Sequence, residues 1–340
     1  MRLLLSAAAA IAIAVPAMAQ EPATLRIVAH DYFSIDETVL AAFEAANDVR
    51  VEIIGAGDAN EVVDAAIAGT APEADLLFGV DNLLFERAAS AGIFLPYEAV
   101  GRSAIPDDIR AQFADSLLVT PIDYGFITLN WDSAAPGDPP ASFEALTTPE
   151  WRSRLVVQDP ALSSPGLQFL LTTIAYFGED DDYDWRDFWA DLRANDVHVA
   201  RDWGEAYTER FTYRGGDRPL VVSYSTSPAA EVHFANGALA EPPTENVILA
   251  PLFRQVEAVA ILAGTEQQAL AEAFVDFTLT DAFQAQIPPS DHVYPGIGGL
   301  PMPDWWRFAE VEAEIADIAV TGADIDRWIA EWQVVMGVTP

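Results

Sequence analysis

Three short segments concentrate the groups that could do chemistry: Gln158-Asp-Pro-Ala-Leu-Ser-Ser-Pro-Gly166, Trp203-Gly-Glu-Ala-Tyr207 and Ser223-Tyr-Ser-Thr-Ser-Pro228. Each sets hydroxyls, carboxylates or a large aromatic ring at a strand end or helix start, where free backbone N–H groups can meet a ligand. This is the composition of a pocket, not of an active site, because no base stands beside any candidate nucleophile. A serine hydrolase of the nucleophile-elbow type is excluded, since no G-x-S-x-G occurs. The four histidines, His30, His198, His233 and His292, are scattered without an H-x-x-x-H pair, which argues against zinc. There is no Cys, so disulfides and thiolate-held metals are excluded as well. No cofactor and no metal are expected. Acids are abundant enough that a carboxylate-pair glycosidase survives simple counting, and a secreted hydrolase therefore stays as the most remote alternative.

Acidic residues outnumber basic ones by 53 to 17, and the net charge is −36. Such a surface repels nucleic acid and anionic membranes and attracts cations. A nucleic-acid partner is not expected. Every basic residue is Arg, so a phosphate-loop or Schiff-base lysine is ruled out by residue type. The run Glu179-Asp-Asp-Asp182 lacks the Gly and the closing Glu of a calcium loop and reads as a solvated turn.

The N-terminus follows the grammar of a secretory signal: Arg2, an apolar run from Leu3 to Val15, then Pro16-Ala-Met-Ala19. Cleavage is expected after Ala19, with no Cys there to carry a lipid, and the periplasm is the expected location. No later stretch is apolar for long enough to span a membrane. The roughly 320 residues that remain exceed one small core, so two α/β lobes are expected.

The elements that would position the pocket alternate. Strands are expected at Leu25–His30, Val51–Ile54 and Asp75–Phe78, with helices at Asp36–Ala46, Ala59–Ala68 and Leu83–Ala91 between and after them. That alternation implies mostly parallel sheets flanked by helices, whose ligands meet the loops at strand carboxyl ends. Val119–Asn130 reads as a crossing between lobes. Strands Leu155–Gln158, Val197–Ala200 and Leu220–Tyr224 follow, with helices from Pro165, over Trp185–Ala194 and from Trp203. Ser163, Ser164 and Ser227 are suitable caps ahead of Pro165 and Pro228. Val247–Leu252 and Ala258–Leu262 are expected to carry the chain back, and helices near Gln267–Leu279, Asp281–Gln286 and Ala323–Val334 to complete the first lobe. The resulting division is 1–19 for the signal, 20–124 and 253–340 for lobe one, and 125–252 for lobe two.

Taken in order, and with Gly57-Asp-Ala-Asn-Glu61 and Gly79-Val-Asp-Asn82 before them, the three segments resemble the thiamine-binding periplasmic proteins of ABC importers. The resemblance runs from about Leu25 to Trp332. It implies a two-lobed class II periplasmic binding fold with a ligand cleft between the lobes. It also implies a small-molecule ligand, which is thiamine, a thiamine phosphate or a related compound, and an inner-membrane ABC permease as partner; a monomer is expected. By the same resemblance Asp58 takes the aminopyrimidine edge, although its position also suits a helix cap. Trp203 and Tyr224 match cleft aromatics, with Tyr207 beside Trp203. Ser163 and Ser164 match a hydroxyl-bearing turn near the hydroxyethyl or phosphate end of the ligand. Asp81 and Asn82 match a family pair that either lines the cleft or caps a strand end. The chain departs from the family where His30, Glu37, Ala230 and His292 stand in place of aromatics, which marks a divergent branch. His30 and His292 keep flat rings that can stack while neutral, and Glu37 adds negative charge. Ferric-ion binders of related importers use paired adjacent tyrosines, and none occurs here. Polyamine binders share the fold and an acidic, aromatic cleft, and they form the near alternative. N-terminal sequencing of the exported protein should begin at Gln20; an intact Met1 on membrane-bound protein would overturn the signal assignment.

Overall fold

The computed structural model describes residues 22–316 and 320–338. The expected signal segment lies outside them. Strands and helices alternate at first: β1 (Ala23–Ala29), α1 (Glu37–Asn47), β2 (Val49–Gly55), α2 (Ala59–Ala68), β3 (Leu76–Asp81), α3 (Phe85–Ser90), β4 (Phe94–Leu95) and α4 (Asp107–Arg110). Local chemistry sets their ends. Asp36 accepts from the N–H groups of Thr38 and Val39 to start α1, and Asp58 with Glu61 forms a capping box on α2, which Gly69 closes in the left-handed region. The middle of the chain supplies β5 (Thr120–Asp132), β6 (Leu155–Gln158), α5 (Ser164–Phe177), α6 (Trp185–Ala194), β7 (His198–Ala200), β8 (Leu220–Tyr224), α7 (Ser227–Phe234) and β9 (Thr244–Val247). β10 (Phe253–Leu262), α8 (Gln268–Thr278), α9 (Asp281–Ser290), β11 (Tyr294–Pro295) and α10 (Gly322–Met336) follow.

Among the described residues the strands join in the order β2-β1-β3-β10-β5-β8-β6-β7. The outer pairings are parallel, β1 with β2 and β3, and β6 with β7 and β8. At the centre, β10 runs antiparallel to β3 and β5, and β5 antiparallel to β8. Two large hydrophobic cores, with smaller clusters beside them, form on this frame among the described residues. The first gathers Leu25, Ile27, Phe78, Phe274 and Phe283 with Ile122 of β5 and Val256 of β10. The second gathers Leu170, Trp185 and Trp189 with Ile127 and Trp131 of β5 and Phe253 of β10. Each crossing strand therefore buries one end in each core. α5 is apolar nearly all round and runs through the second core. Its start can approach β6 because residue 166 is Gly: a Cβ there would lie 2.5 Å from the Gln158 carbonyl oxygen.

Two expectations are corrected. The return strand is not Val247–Leu252; β9 ends at Val247, and the return is made by β10 from Phe253. The expected helix from Trp203 is present and is π-helical over Glu205–Arg210. The C-terminal helix α10 does not complete the first lobe. Ile325, Trp328, Trp332 and Met336 recur at helical spacing and enter the second core, where the Trp332 ring meets Trp189 of α6 edge-on at 5.6 Å. Helical spacing shows that such a face is buried; it does not show against what. Trp332 is fully buried, so Trp332→Ala should cost about 3–5 kcal/mol of stability in urea unfolding. A cost below about 1 kcal/mol would show that α10 is peripheral to that core.

Candidate ligand-binding site

A cavity of about 300 Å³ lies between the two cores, walled on one side by His30, Tyr32 and Asp58 and on the other by Ser164, Trp203 and Tyr207. Asp58 sits where β2 turns through Gly57 into α2. One of its oxygens, Oδ1, accepts from the Ala59 N–H at 2.8 Å, while Oδ2 accepts from the Trp203 N–H at 3.4 Å. The carboxylate thus caps its own helix and also reaches the opposite wall. Burial raises its pKa, against the opposing effects of Ser163, the Ala59 N–H, His30 and the Trp203 N–H.

The aromatic wall is held in place by its neighbours. Trp203 donates from Nε1 to Ser223 Oγ at 2.9 Å, stacks on Tyr207 with centroids 4.9 Å apart and planes 11° off parallel, and meets Tyr32 edge-on at 5.4 Å. The Tyr207 hydroxyl donates to Glu231, which also accepts from Thr244 Oγ1 at 2.7 Å. Tyr224 lines the cavity and donates to Gln255 Oε1 at 3.1 Å.

The two histidines on the wall behave differently. For His30, burial acts downward, but Glu257, hydrogen-bonding range aside, together with Asp291 and Asp58 outweighs it and lifts the pKa to about 9. His292 is held down to about 4 by burial and by His233, and its neutral ring packs against Phe234 at 4.4 Å. Glu37 is exposed on α1 and is not part of the cavity wall, so it adds no charge there. Ala230 does line it.

Ser163 and Asp81 stand behind the wall. Asp81 is fully buried at the end of β3, where Oδ1 accepts from the N–H groups of Leu83 and Leu84 at 2.8 and 2.9 Å; burial pushes it up to about 6. Of the two roles open to it, the geometry gives strand-end capping. Ser163 occupies the N-cap position of α5 but makes no capping bond, and Ser164 Oγ donates instead to Asn60 Oδ1 at 3.3 Å. Sequence reasoning missed Tyr32, Arg214, Glu231, Glu257 and Asp291, all of which face the cavity. For Glu257 a signal exists: Gln255 and Glu257 are polar residues two apart in a strand that is apolar beyond them, and both are buried.

Two α/β cores joined by crossing strands, with a polar and aromatic cavity between them, define a two-lobed periplasmic binding protein. The chain belongs to the bacterial extracellular solute-binding protein family, whose profile matches residues 71–304. It is 28% identical over 322 residues to the thiamine-binding periplasmic protein of Escherichia coli (strain K12), covering 91% of this chain and 92% of that one. It is 24% identical to the iron uptake protein A2 of Synechocystis, covering 82% of this chain and 80% of the other. Among solved structures, a periplasmic thiamin binding protein superposes with a TM-score of 0.80 at 26% identity, covering 95% of this chain and 99% of that one. Fold and family make this a solute-binding component of the ABC-importer type, not an enzyme. No helix among the described residues is long and apolar enough to cross a membrane.

The Glu231 carboxyl, 2% exposed, is pushed by burial from 4.5 up to about 7, although Tyr207 and Thr244 hydrogen-bond to it. Between those pH values the folded chain holds a proton that the unfolded chain has released, so stability falls as pH rises from about 4.5 to about 7. Glu231→Gln should remove that part of the slope, on the order of 2–3 kcal/mol across the window, in urea unfolding at several pH values. Equal slopes in both proteins would show that Glu231 ionises freely.

Proposed function

We propose that this protein binds thiamine or a closely related cationic pyrimidine compound in the periplasm and delivers it to an ABC permease. The observation that carries this reading is that the Asp58 carboxylate and the Trp203 indole line one cavity from opposite walls, which the bond from the Trp203 backbone N–H to Asp58 Oδ2 holds together. Thiamine offers a permanent thiazolium cation, which favours an aromatic face, and an aminopyrimidine edge, which favours a carboxylate. The curated relatives named as thiamine-binding support the reading, as does the acidic lining. Closure around the ligand is proposed to act through the crossing strands, near residues 124–125 and 252–253, with water excluded as the lobes meet.

A polyamine is the second reading. It is favoured by Glu231, Glu257 and Asp291, which spread acidic groups along the cavity as a chain of amines would require. Asp58→Asn keeps the size and capping capacity of the side chain and removes its charge. Calorimetric titration of thiamine, its monophosphate and spermidine into both proteins should show thiamine-class binding weakened by the variant by about 1.5–3 kcal/mol. Unchanged affinity would reduce Asp58 to a cap and latch, and spermidine as the sole binder would move the assignment to polyamines.

A further inference from the structure

Strand register sets three carboxylates in one row across the middle of the sheet. Glu257 of β10 lies opposite Asp81 of β3 on one side and opposite Asp123 of β5 on the other. Directly opposed residues of antiparallel strands project from the same face, and like charges so placed repel. Among the described residues no arginine pairs with any of the three, nor with Asp291 beside them. Their oxygens are also under-used. Asp123 is 1% exposed and neither of its carboxylate oxygens has a hydrogen-bond partner; Asp81 Oδ2 has none either.

His30 Nε2 is likewise unpartnered and stands 3.5 Å from Glu257 Oε2. That is long for a hydrogen bond, and it is near the roughly 3.4 Å donor–donor edge around a four-coordinate ion with bonds of about 2.0–2.2 Å. One donor atom from each of His30, Glu257 and Asp291 lies within 4.8 Å of the others. The first two groups are already held in orientation. A Cβ on Gly79 would sit 2.8 Å from His30 Cδ2, so the missing side chain is what admits the imidazole, and Phe33 and Phe78 flank the ring. Gln255 Nε2 donates to Glu257 Oε1 at 2.8 Å, which leaves Oε2 toward the cluster.

We propose that His30, Glu257 and Asp291 form a binding site for one divalent first-row cation, with Asp123 as a neighbouring carboxylate whose charge favours the ion. An imidazole with carboxylates suits ions of the manganese, iron or zinc class. The ion would supply the positive charge that the row of acids lacks. The site lies on the sheet side of the cavity and goes beyond the organic-ligand reading, on which it does not depend.

The test uses the full secreted chain, stripped with chelator and free of organic ligand. Calorimetry with zinc chloride and manganese chloride should show one saturable equivalent, and cobalt chloride should give the visible absorption of a low-coordinate cobalt ion. Asp291→Asn, in the segment after α9, and Glu257→Gln should each weaken binding at least tenfold, with thermal melting of the metal-free variants confirming that they fold. Absence of saturable binding, or equal affinity in Asp291→Asn and the parent, would overturn the site and assign any uptake to surface acids. A protein that takes no metal yet binds thiamine overturns only this inference; one that takes metal and no organic cation overturns only the earlier reading.

Discussion

β5 and β10 run side by side from one core into the other, and their antiparallel ladder, from Phe253 opposite Ile127 to Val259 opposite Thr120, is the constraint on which the rest of the molecule depends. Because Ile122 and Val256 are buried in the first core and Trp131 and Phe253 in the second, the ladder cannot slip by one residue without turning apolar side chains out of both cores at once. An irregularity in the pairing next to Glu257 accompanies the passage between cores, where added twist is needed. The same register brings Asp123 and Glu257 together. Packing that fixes the crossing thus imposes a local electrostatic cost at the floor of the cavity, the kind of conflict that marks functional positions.

The contacts that hold the cavity walls together are of another kind. Asp58 with Trp203, Asn60 with the Pro160 carbonyl, Tyr32 with Asp202 and Arg201 with Glu61 are all polar, at 3.4, 3.2, 3.3 and 2.8 Å. Exposed pairs such as Tyr32–Asp202 and Arg201–Glu61 contribute little net stability, and water can take the place of the buried bonds of Asn60 and Asp58 once the walls part. Apolar burial keeps each core intact, whereas the seam between them is held mainly by polar bonds, with the edge-on contact of Tyr32 and Trp203 beside them. A binding protein that must release its cargo needs that division of labour.

Asp58 is legible in sequence because Gly57-Asp-Ala-Asn-Glu61 spells a capping box after a strand, and Trp203, Tyr207 and Tyr224 are legible because they flank strand ends. The chemistry of His30 is not, since its charge depends on Glu257 and Asp291, which only the folded sheet brings near. Asp81 and Ser163 share the loops of true wall residues, and what places them behind the wall is the direction of each side chain at the strand end. For α10, periodicity reveals a buried face, while its partner α6 is chosen by the fit of Trp332 against Trp189, which no local pattern encodes. The resemblance to a family covers the crossing strands as well, but not the residues by which this cavity departs from it.

Pro288 and Pro289 lie inside α9, and they lack the N–H groups that would otherwise donate to the carbonyls of Gln284 and Ala285. The chain beyond them is tied back through one backbone acceptor, the Ile287 carbonyl, which receives the N–H groups of both Asp291 and His292 at 2.8 and 3.0 Å. His292 then turns into the left-handed region at φ 60°. An acid and a ring on the same wall therefore share one backbone acceptor, and the pairing of Tyr294 with Tyr124 pins the chain just beyond them. The position of this wall is thus set jointly by the end of α9 and by the crossing strand β5.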